Sequence, residues 1–422
     1  MLETAALKPS GLKGFAPADL AEWRSGWRIV AGAAVGMGTG VSLYLLVASL
    51  FIVPVTKEFG WTRGDMGIAG MIAFATGAIV LPFIGRLLDR YGFRRVVLVC
   101  VPAMSLLYLA IATQPGSYAF YLVLMVWGGI FGGGTGAIAY TRPVIAAFER
   151  QRGLALGLAT AGTSITAMIV PPILGASIEA NGWRTGLYVM AALTTFVGLP
   201  LALLLIGKAR EGHVSAADDI PEEALAHQPA RNLTVAEAIR GARFWLIALA
   251  LVAVNIPGSG VVGQLAPMIS DKGLTESSAA VVMSIYAFGL LAGRLITGFS
   301  LDRFPAPAVG AVMTLIPALG TLLLLMGEPS FAVAAVAVAM LGVQQGSEVD
   351  LIAYFVSRGF GLKHYGAIYG LIAMAGAVST AIALVLFGKV HDLTGSYDIA
   401  LMIGAAAFCT GALAFAAISR AR

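Results

Sequence analysis

Cysteine, histidine and charge are all scarce in this chain of 422 residues. The two cysteines, Cys100 and Cys409, both fall inside apolar stretches, which excludes a disulfide framework and a thiol metal site. The four histidines (His213, His227, His364 and His391) are scattered in or beside polar segments and make no ligand cluster, so no metal and no cofactor is expected. Charged residues contribute 12% of the chain against 59% hydrophobic residues, with a mean hydropathy of +0.87. Soluble proteins carry roughly twice that charge, so an ordinary soluble protein is excluded. Patterns of covalent catalysis are missing too. There is no G-x-S-x-G elbow, no H-E-x-x-H pair and no Walker lysine, which argues against an enzyme and an ATP-driven pump. The glycine cluster Gly128 to Gly136 lacks the strand before it and the Lys-Ser or Lys-Thr after it that a phosphate loop needs, so it reads as a close-packing surface. The chain is polar up to about Arg28, so no cleavable signal peptide is expected.

What is present is a series of long apolar runs. A chain of this length holds about twelve helices of about 20 residues with short loops. Spans are predicted at roughly 29–55, 66–88, 95–113, 119–147, 154–178 and 185–207, then at roughly 243–268, 276–300, 306–326, 331–357, 365–388 and 396–418. The expected organisation is an N-terminal tail over about 1–27, a six-helix half over 28–207, a polar linker over 208–242, a second half over 243–418 and a short tail over 419–422. Within the linker, acidic residues run from Asp218 to Glu223, and Thr234 to Ala242 reads as a surface helix. Pro171-Pro172 should kink the fifth span or break its ladder. With the N-terminus inside, one side carries about 21 Lys and Arg and the other about five, which puts both termini in the cytoplasm. The net charge of +5 therefore reflects loop placement and gives no nucleic-acid signal.

Between the second and third spans lies Gly85-Arg86-Leu87-Leu88-Asp89-Arg90-Tyr91-Gly92-Phe93-Arg94-Arg95. An echo, Gly298-Phe299-Ser300-Leu301-Asp302-Arg303, follows half a chain later. Both read as tight inter-helix turns. The first glycine of each allows close helix approach, Gly92 permits a backbone most residues resist, Asp89 can face a helix N-terminus, and the arginines hold the loop on the cytoplasmic side. The stretch resembles the G-x-L-x-D-R-x-G-x-R-R signature of the major facilitator superfamily, matched by Gly85, Leu87, Asp89, Arg90, Gly92, Arg94 and Arg95. The resemblance implies an all-α integral membrane fold of twelve helices in two pseudo-symmetric halves, and it favours a monomer. Gly85, Asp89, Arg90, Gly92, Arg94, Gly298, Asp302 and Arg303 then form a conformational motif.

Ionisable groups at membrane depth are functional candidates. Arg294 lies about 12 Å of helix before the loop at Asp302. Its guanidinium stays charged and matches a carboxylate bidentately, which suits an anchor for an organic anion; a structural ion pair or a snorkelling side chain is the plainer reading. Glu348 and Asp350 lie in Gln344-Gln345-Gly346-Ser347-Glu348-Val349-Asp350 at similar depth. Residues two apart point about 200° apart on a helix, so the two acids should not face one cavity. One of them is expected to pair with Arg294 in the empty protein and to exchange a proton, with Glu348 the first choice. Further candidates to touch substrate are Asn255, Gln264, Tyr286, Tyr44 and Tyr354, although tyrosines in membrane helices more often pack or anchor at the interface.

Other stretches look like the monocarboxylate and oxalate/formate branch of that superfamily: Glu58-Phe59-Gly60-Trp61-Thr62-Arg63, Phe148-Glu149-Arg150-Gln151-Arg152-Gly153-Leu154-Ala155-Leu156-Gly157, and Asn181-Gly182-Trp183-Arg184. The branch implies a small carboxylate bound near the middle of a carrier that alternates between inward- and outward-open states, with Arg294 as its arginine. Departures exist. Leu290 stands where the animal carriers have an aspartate, Ala48-Ser49-Leu50 where they have a lysine, and no Lys or Arg precedes Lys389 in the eleventh span. A single cation suits one carboxylate better than a dianion. The expectation is proton-coupled uptake of a small monocarboxylate across the plasma (inner) membrane, with substrate, proton and lipids as partners. The alternatives are an organic-anion exchanger and a proton-driven drug or cation exporter; Gly162 to Gly175 lacks the G-x-x-x-G-P-x-x-G-G spacing of the latter.

Overall fold

The computed structural model describes residues 17–148, 151–207, 233–301, 303–327, 329–361 and 364–419. Asp302, Glu149, Arg150, the acidic stretch 218–223, His213 and His227 lie outside the described residues, as does the side chain of Asp89.

Among the described residues twelve helices are long and apolar enough to cross a membrane. The first half comprises span 1 (Glu22–Phe59), span 2 (Arg63–Leu81), span 3 (Arg90–Ala112), span 4 (Tyr118–Ala147), span 5 (Leu154–Asn181) and span 6 (Trp183–Ile206). The second comprises span 7 (Ala242–Gly263), span 8 (Ser277–Leu301), span 9 (Ala306–Leu324), span 10 (Phe331–Phe360), span 11 (Ile368–Thr394) and span 12 (Asp398–Ile418). Below, the tail side is the one carrying the N-terminal tail and the linker, and the far side is its opposite. Spans 2 and 3 form one helical run broken only at Gly92, whose φ of 78° and ψ of 166° supply the turn. The surface helix before span 7 is Val235–Arg240, started by a capping box between Thr234 and Glu237.

Four spans are irregular, and in the first half the polar groups freed at the breaks serve one another. Span 1 stops at Gly38 and restarts at Val41 after an extended Gly40, while span 4 loosens to a 3-10 turn over Gly133–Thr135. Thr135 Oγ1 accepts from the Val41 N–H at 3.0 Å and donates to Gly132 O at 2.9 Å, so one hydroxyl serves both breaks. A π-turn over Leu193–Gly198 in span 6 places Thr194 Oγ1 3.1 Å from Thr39 O, where it donates to that carbonyl. Span 7 stops before Gln264 and resumes as Leu265–Asp271. Irregular backbone at this depth survives only where protein groups satisfy it.

Helix Arg152–Asn181 continues through Pro171 and Pro172, which donate no N–H to its ladder. One expectation needs correction. The glycines opening the two turn motifs do not serve close packing here: a Cβ at Gly85 would meet only Ile138 Cδ1 at 3.8 Å, and one at Gly298 would meet nothing. The tight approaches lie elsewhere. Gly129 sits against the backbone of Ala73 and Gly77, which bears out the packing role expected of the Gly128 to Gly136 cluster.

The buried apolar residues divide in a way that states the conformation. One cluster spans both halves at the far side, joining Leu43, Leu50 and Leu174 to Val261, Met283 and Phe387. At the tail side there are two clusters, one per half: Met37, Phe93 and Tyr140 belong to the first, and Phe244, Phe355 and Phe415 to the second. The halves thus share a hydrophobic core on the far side and not on the tail side.

Candidate functional site

Spans 8 and 10 are pressed together by paired glycines. A Cβ on Gly289 or Gly293 would collide with the Ala339 or Val343 carbonyl oxygens, and one on Gly342 or Gly346 with those of Tyr286 or Leu290. This backbone contact sets the depth of everything that follows in both helices. Arg294 is the residue after Gly293, and its Nη1 reaches across to Thr160 Oγ1 of span 5, in the other half, at 3.4 Å. The guanidinium therefore stands at the seam between the halves.

Glu348 lies one helical turn beyond Gln344 and faces span 7. Its Oε1 accepts from Asn255 Nδ2 at 2.8 Å and its Oε2 from Gln345 Nε2 at 3.0 Å. Asn255 is fixed in turn: Nδ2 donates to Leu251 O at 3.2 Å and Oδ1 accepts from Thr380 Oγ1 at 3.1 Å. Ser259 Oγ lies 3.1 Å from Thr380 Oγ1. Tyr286 and Tyr369 stand close enough to feel the Glu348 charge.

The ion pair expected between Arg294 and Glu348 or Asp350 is not formed. Among the described residues no carboxylate lies within ion-pairing distance of Arg294. The reason is the angular one: Glu348 points to the amides of spans 7 and 10, while Asp350 is the acid that feels the Arg294 charge, at longer range.

The remaining candidates are dispersed. Tyr286 is buried in the far-side cluster, 4% exposed. Tyr44 packs on Tyr108 with ring centroids 5.6 Å apart, within the first half. Tyr354 belongs to the tail-side cluster of the second half and carries the Arg358 guanidinium at 5.8 Å. Gln264 is not beside Arg294 at all; its Oε1 accepts from the Tyr397 hydroxyl at 3.0 Å at the far side. In the turn motifs, Arg90 stacks on Tyr91 and Arg303 on Phe299, while Arg94 is exposed.

That far-side contact belongs to a seal which the sequence did not announce. Arg63, at the start of span 2, donates to Asp271 through Nη1 and through Nη2, the latter at 2.6 Å, and to the Tyr397 hydroxyl at 3.0 Å. Asp392 of span 11 accepts from the Arg63 and Gly64 backbone N–H groups at 3.1 and 2.8 Å, so a carboxylate of one half caps a helix of the other. His391 Nε2 stands 3.2 Å from Asp271 Oδ2. Burial raises the Tyr397 phenol well above its ordinary range, so it remains a donor. A second cluster lies within the first half, where Glu58 accepts from Trp183 Nε1 at 2.7 Å and from Arg184 at 2.6 and 2.8 Å.

The Major Facilitator Superfamily model matches residues 29–384, most of the chain. The chain belongs to the Major Facilitator Superfamily. As a member of that superfamily it is a multi-pass membrane transporter and not an enzyme. Over 410 residues it is 25% identical to monocarboxylate transporter 11 of Homo sapiens, covering 94% of this chain and 84% of that protein. A gentisate transporter of Corynebacterium glutamicum is 26% identical over 307 residues, 71% of this chain and 67% of that one. Among solved structures, a bacterial homolog of the human lysosomal transporter Spinster, inward-facing and unoccupied, superposes with a TM-score of 0.65 at 15% identity, covering 96% of this chain and 95% of that chain. At that identity the likeness bears on the fold alone. The facilitator fold carries the site residues on spans 5, 7, 8, 10 and 11 and Asp271 on the segment after span 7, and of these Thr160, Ser259, Thr380, Asp271 and Asp392 had no local signal. Their partners lie as far as 134 positions away for Thr160 and 329 for Asp392.

Proposed function

We propose that this transporter carries a small monocarboxylate together with a proton into the cell, as a monomer in the plasma (inner) membrane with both termini in the cytoplasm. The observation that carries the reading is Arg294: a permanent cation in a membrane-spanning helix, extended across the seam between the halves, with a neutral hydroxyl as its hydrogen-bond partner. A substrate carboxylate completes that fork, and because the fork stands between the halves, its binding bears on how they rock. Glu348 takes the proton. Its ionised form is held by amide donors alone, so it can become neutral without leaving a cation unpaired. Asp350 supplies the more distant countercharge to Arg294. The relatives named above, a monocarboxylate and a gentisate transporter, support an organic anion over a cationic drug.

The test is uptake of labelled mono- and dicarboxylates into proteoliposomes with and without an inward proton gradient. Gradient-driven accumulation of a monocarboxylate, lost in Arg294→Gln, supports the reading. Uptake that needs internal counter-substrate and ignores the gradient makes the protein an exchanger. Gradient-driven accumulation that survives in Glu348→Gln removes Glu348 from the coupling role.

A further inference from the structure

The Glu348 cluster contains one group that its ionised arrangement leaves unexplained. Gln344 is 3% exposed, one helical turn from Glu348, and its Oε1 has no hydrogen-bond partner among the described residues. A buried unpaired acceptor is costly and calls for a reason. The neighbouring amide shows where the unpaired oxygen points. Gln344 Oε1 lies 3.7 Å, and Gln345 Oε1 3.4 Å, from the Cβ position of Gly258, so two acceptor oxygens converge on the bare side of that glycine.

The Asn255 amide cannot turn. Asn255 Nδ2 donates both to the Leu251 carbonyl, which can only accept, and to Glu348, while Thr380 donates to Oδ1. With Thr380 donating there, Ser259 donates to Thr380, and the chain of donors points one way, toward the carboxylate. Asn255 is thus a permanent donor, suited to the ionised acid. A protonated Glu348 needs an acceptor for its new O–H, and Asn255 cannot supply one.

We propose that Gln344 is the positioning residue that reads the protonation of Glu348, by turning its amide over when the carboxyl takes a proton. The inference rests on the proposed role of Glu348. After the turn, Gln344 Oε1 accepts from the Glu348 O–H, and Nε2 swings to the Gly258 side, where Gln345 Oε1 offers an acceptor. The orphaned oxygen is then satisfied, and the two facing acceptors become a donor and an acceptor. The last torsion of a glutamine is broad and two-fold, so the motion needs no backbone change. The other titratable or charged groups around Glu348 are Tyr286 from span 8, Tyr369 from span 11, and Asp350 further along span 10 with Arg294 of span 8 beyond it; span 7 faces it with the Asn255 amide.

The experiment is the pH midpoint of monocarboxylate uptake in proteoliposomes for the wild type, Gln344→Met and Asn255→Leu. In Gln344→Met the ionised acid keeps its Asn255 and Gln345 donors while the protonated acid loses its acceptor, so the midpoint moves toward acid by about one pH unit, roughly tenfold in proton affinity. Removing the fixed donor weakens the ionised state, so Asn255→Leu moves it toward alkali. Loss of packing alone would not produce shifts of opposite sign. If Gln344→Met does not fold, Gln344→Asn, whose shorter amide cannot reach the acid, replaces it with the same acid shift expected. An alkaline shift at position 344 makes Gln344 one more donor and overturns the proposal, as does an unmoved midpoint. Either result leaves Glu348 in place as long as Glu348→Gln abolishes gradient-driven accumulation. If that variant still accumulates substrate, the coupling reading and the proposal fall together.

Discussion

Replacing Arg63 by glutamine should open the far side of the transporter. The guanidinium makes two hydrogen bonds to Asp271, one to Tyr397 and a cation–π contact with the same ring, 5.4 Å from its centroid. All these partners belong to the second half, so all the contacts exist only while the far side is closed. Hydrogen bonds to charged groups are worth about 1.5–3 kcal/mol each. The Arg63 side chain is 16% exposed and Asp271 35% exposed, so solvent screening reduces the pair, and a net loss of about 2–3 kcal/mol is reasonable. The backbone N–H bonds to Asp392 do not depend on the side chain and should remain. A change of that size shifts the equilibrium between the two open states by roughly 30- to 150-fold. The assay is a spin-label distance between Lys57→Cys and Leu393→Cys, one exposed site at the far end of each half, in a background lacking Cys100 and Cys409. Arg63→Gln should add a population at longer distance that the parent lacks. An unchanged distribution would mean that apolar packing, and not this polar seal, keeps the far side shut.

Further outcomes follow from the same geometry. Glu58→Gln should lower thermal stability by no more than about 1 kcal/mol, because the Glu58–Arg184 pair is exposed and lies within one half, and it should leave the spin-label distances unchanged. Gly346→Val should prevent spans 8 and 10 from meeting, since the Leu290 carbonyl oxygen occupies the space of the new side chain; poor folding yield in detergent checks it. Gly92→Ala should cost about 1–3 kcal/mol, read as a lower melting temperature, because φ of 78° with ψ of 166° is a region that L-residues avoid.

Much of the fold was legible because a membrane simplifies the problem. Water is absent from the bilayer core, so length and apolarity alone mark a span, and all twelve were countable from hydropathy. Gly92 was readable as a turn because its need for positive φ is a property of one residue. Arg294, Glu348 and Asp350 stood out because charge at membrane depth is expensive wherever it points. The motif stretches around Glu58 and Trp183-Arg184 were visible as patterns, but not as partners that meet in space.

Other features depended on which helix faces which. The pairing expected for Arg294 failed because two helix azimuths, invisible in a hydropathy pattern, turned Glu348 to span 7 and Arg294 to span 5. Gln264 had the same polar character in sequence as Asn255, yet the break after span 7 carried it to the far-side seal. The seal joins residues of four segments through an aspartate cap, an arginine fork and a phenol, and none of these contacts has a local signature. Sequence alone determined how many helices cross the membrane and which carry charge, since each is the sum of local transfer free energies. Only tertiary packing decided which charges meet, which side is closed and which amide is left with an unpaired oxygen, because those depend on contacts between residues hundreds of positions apart.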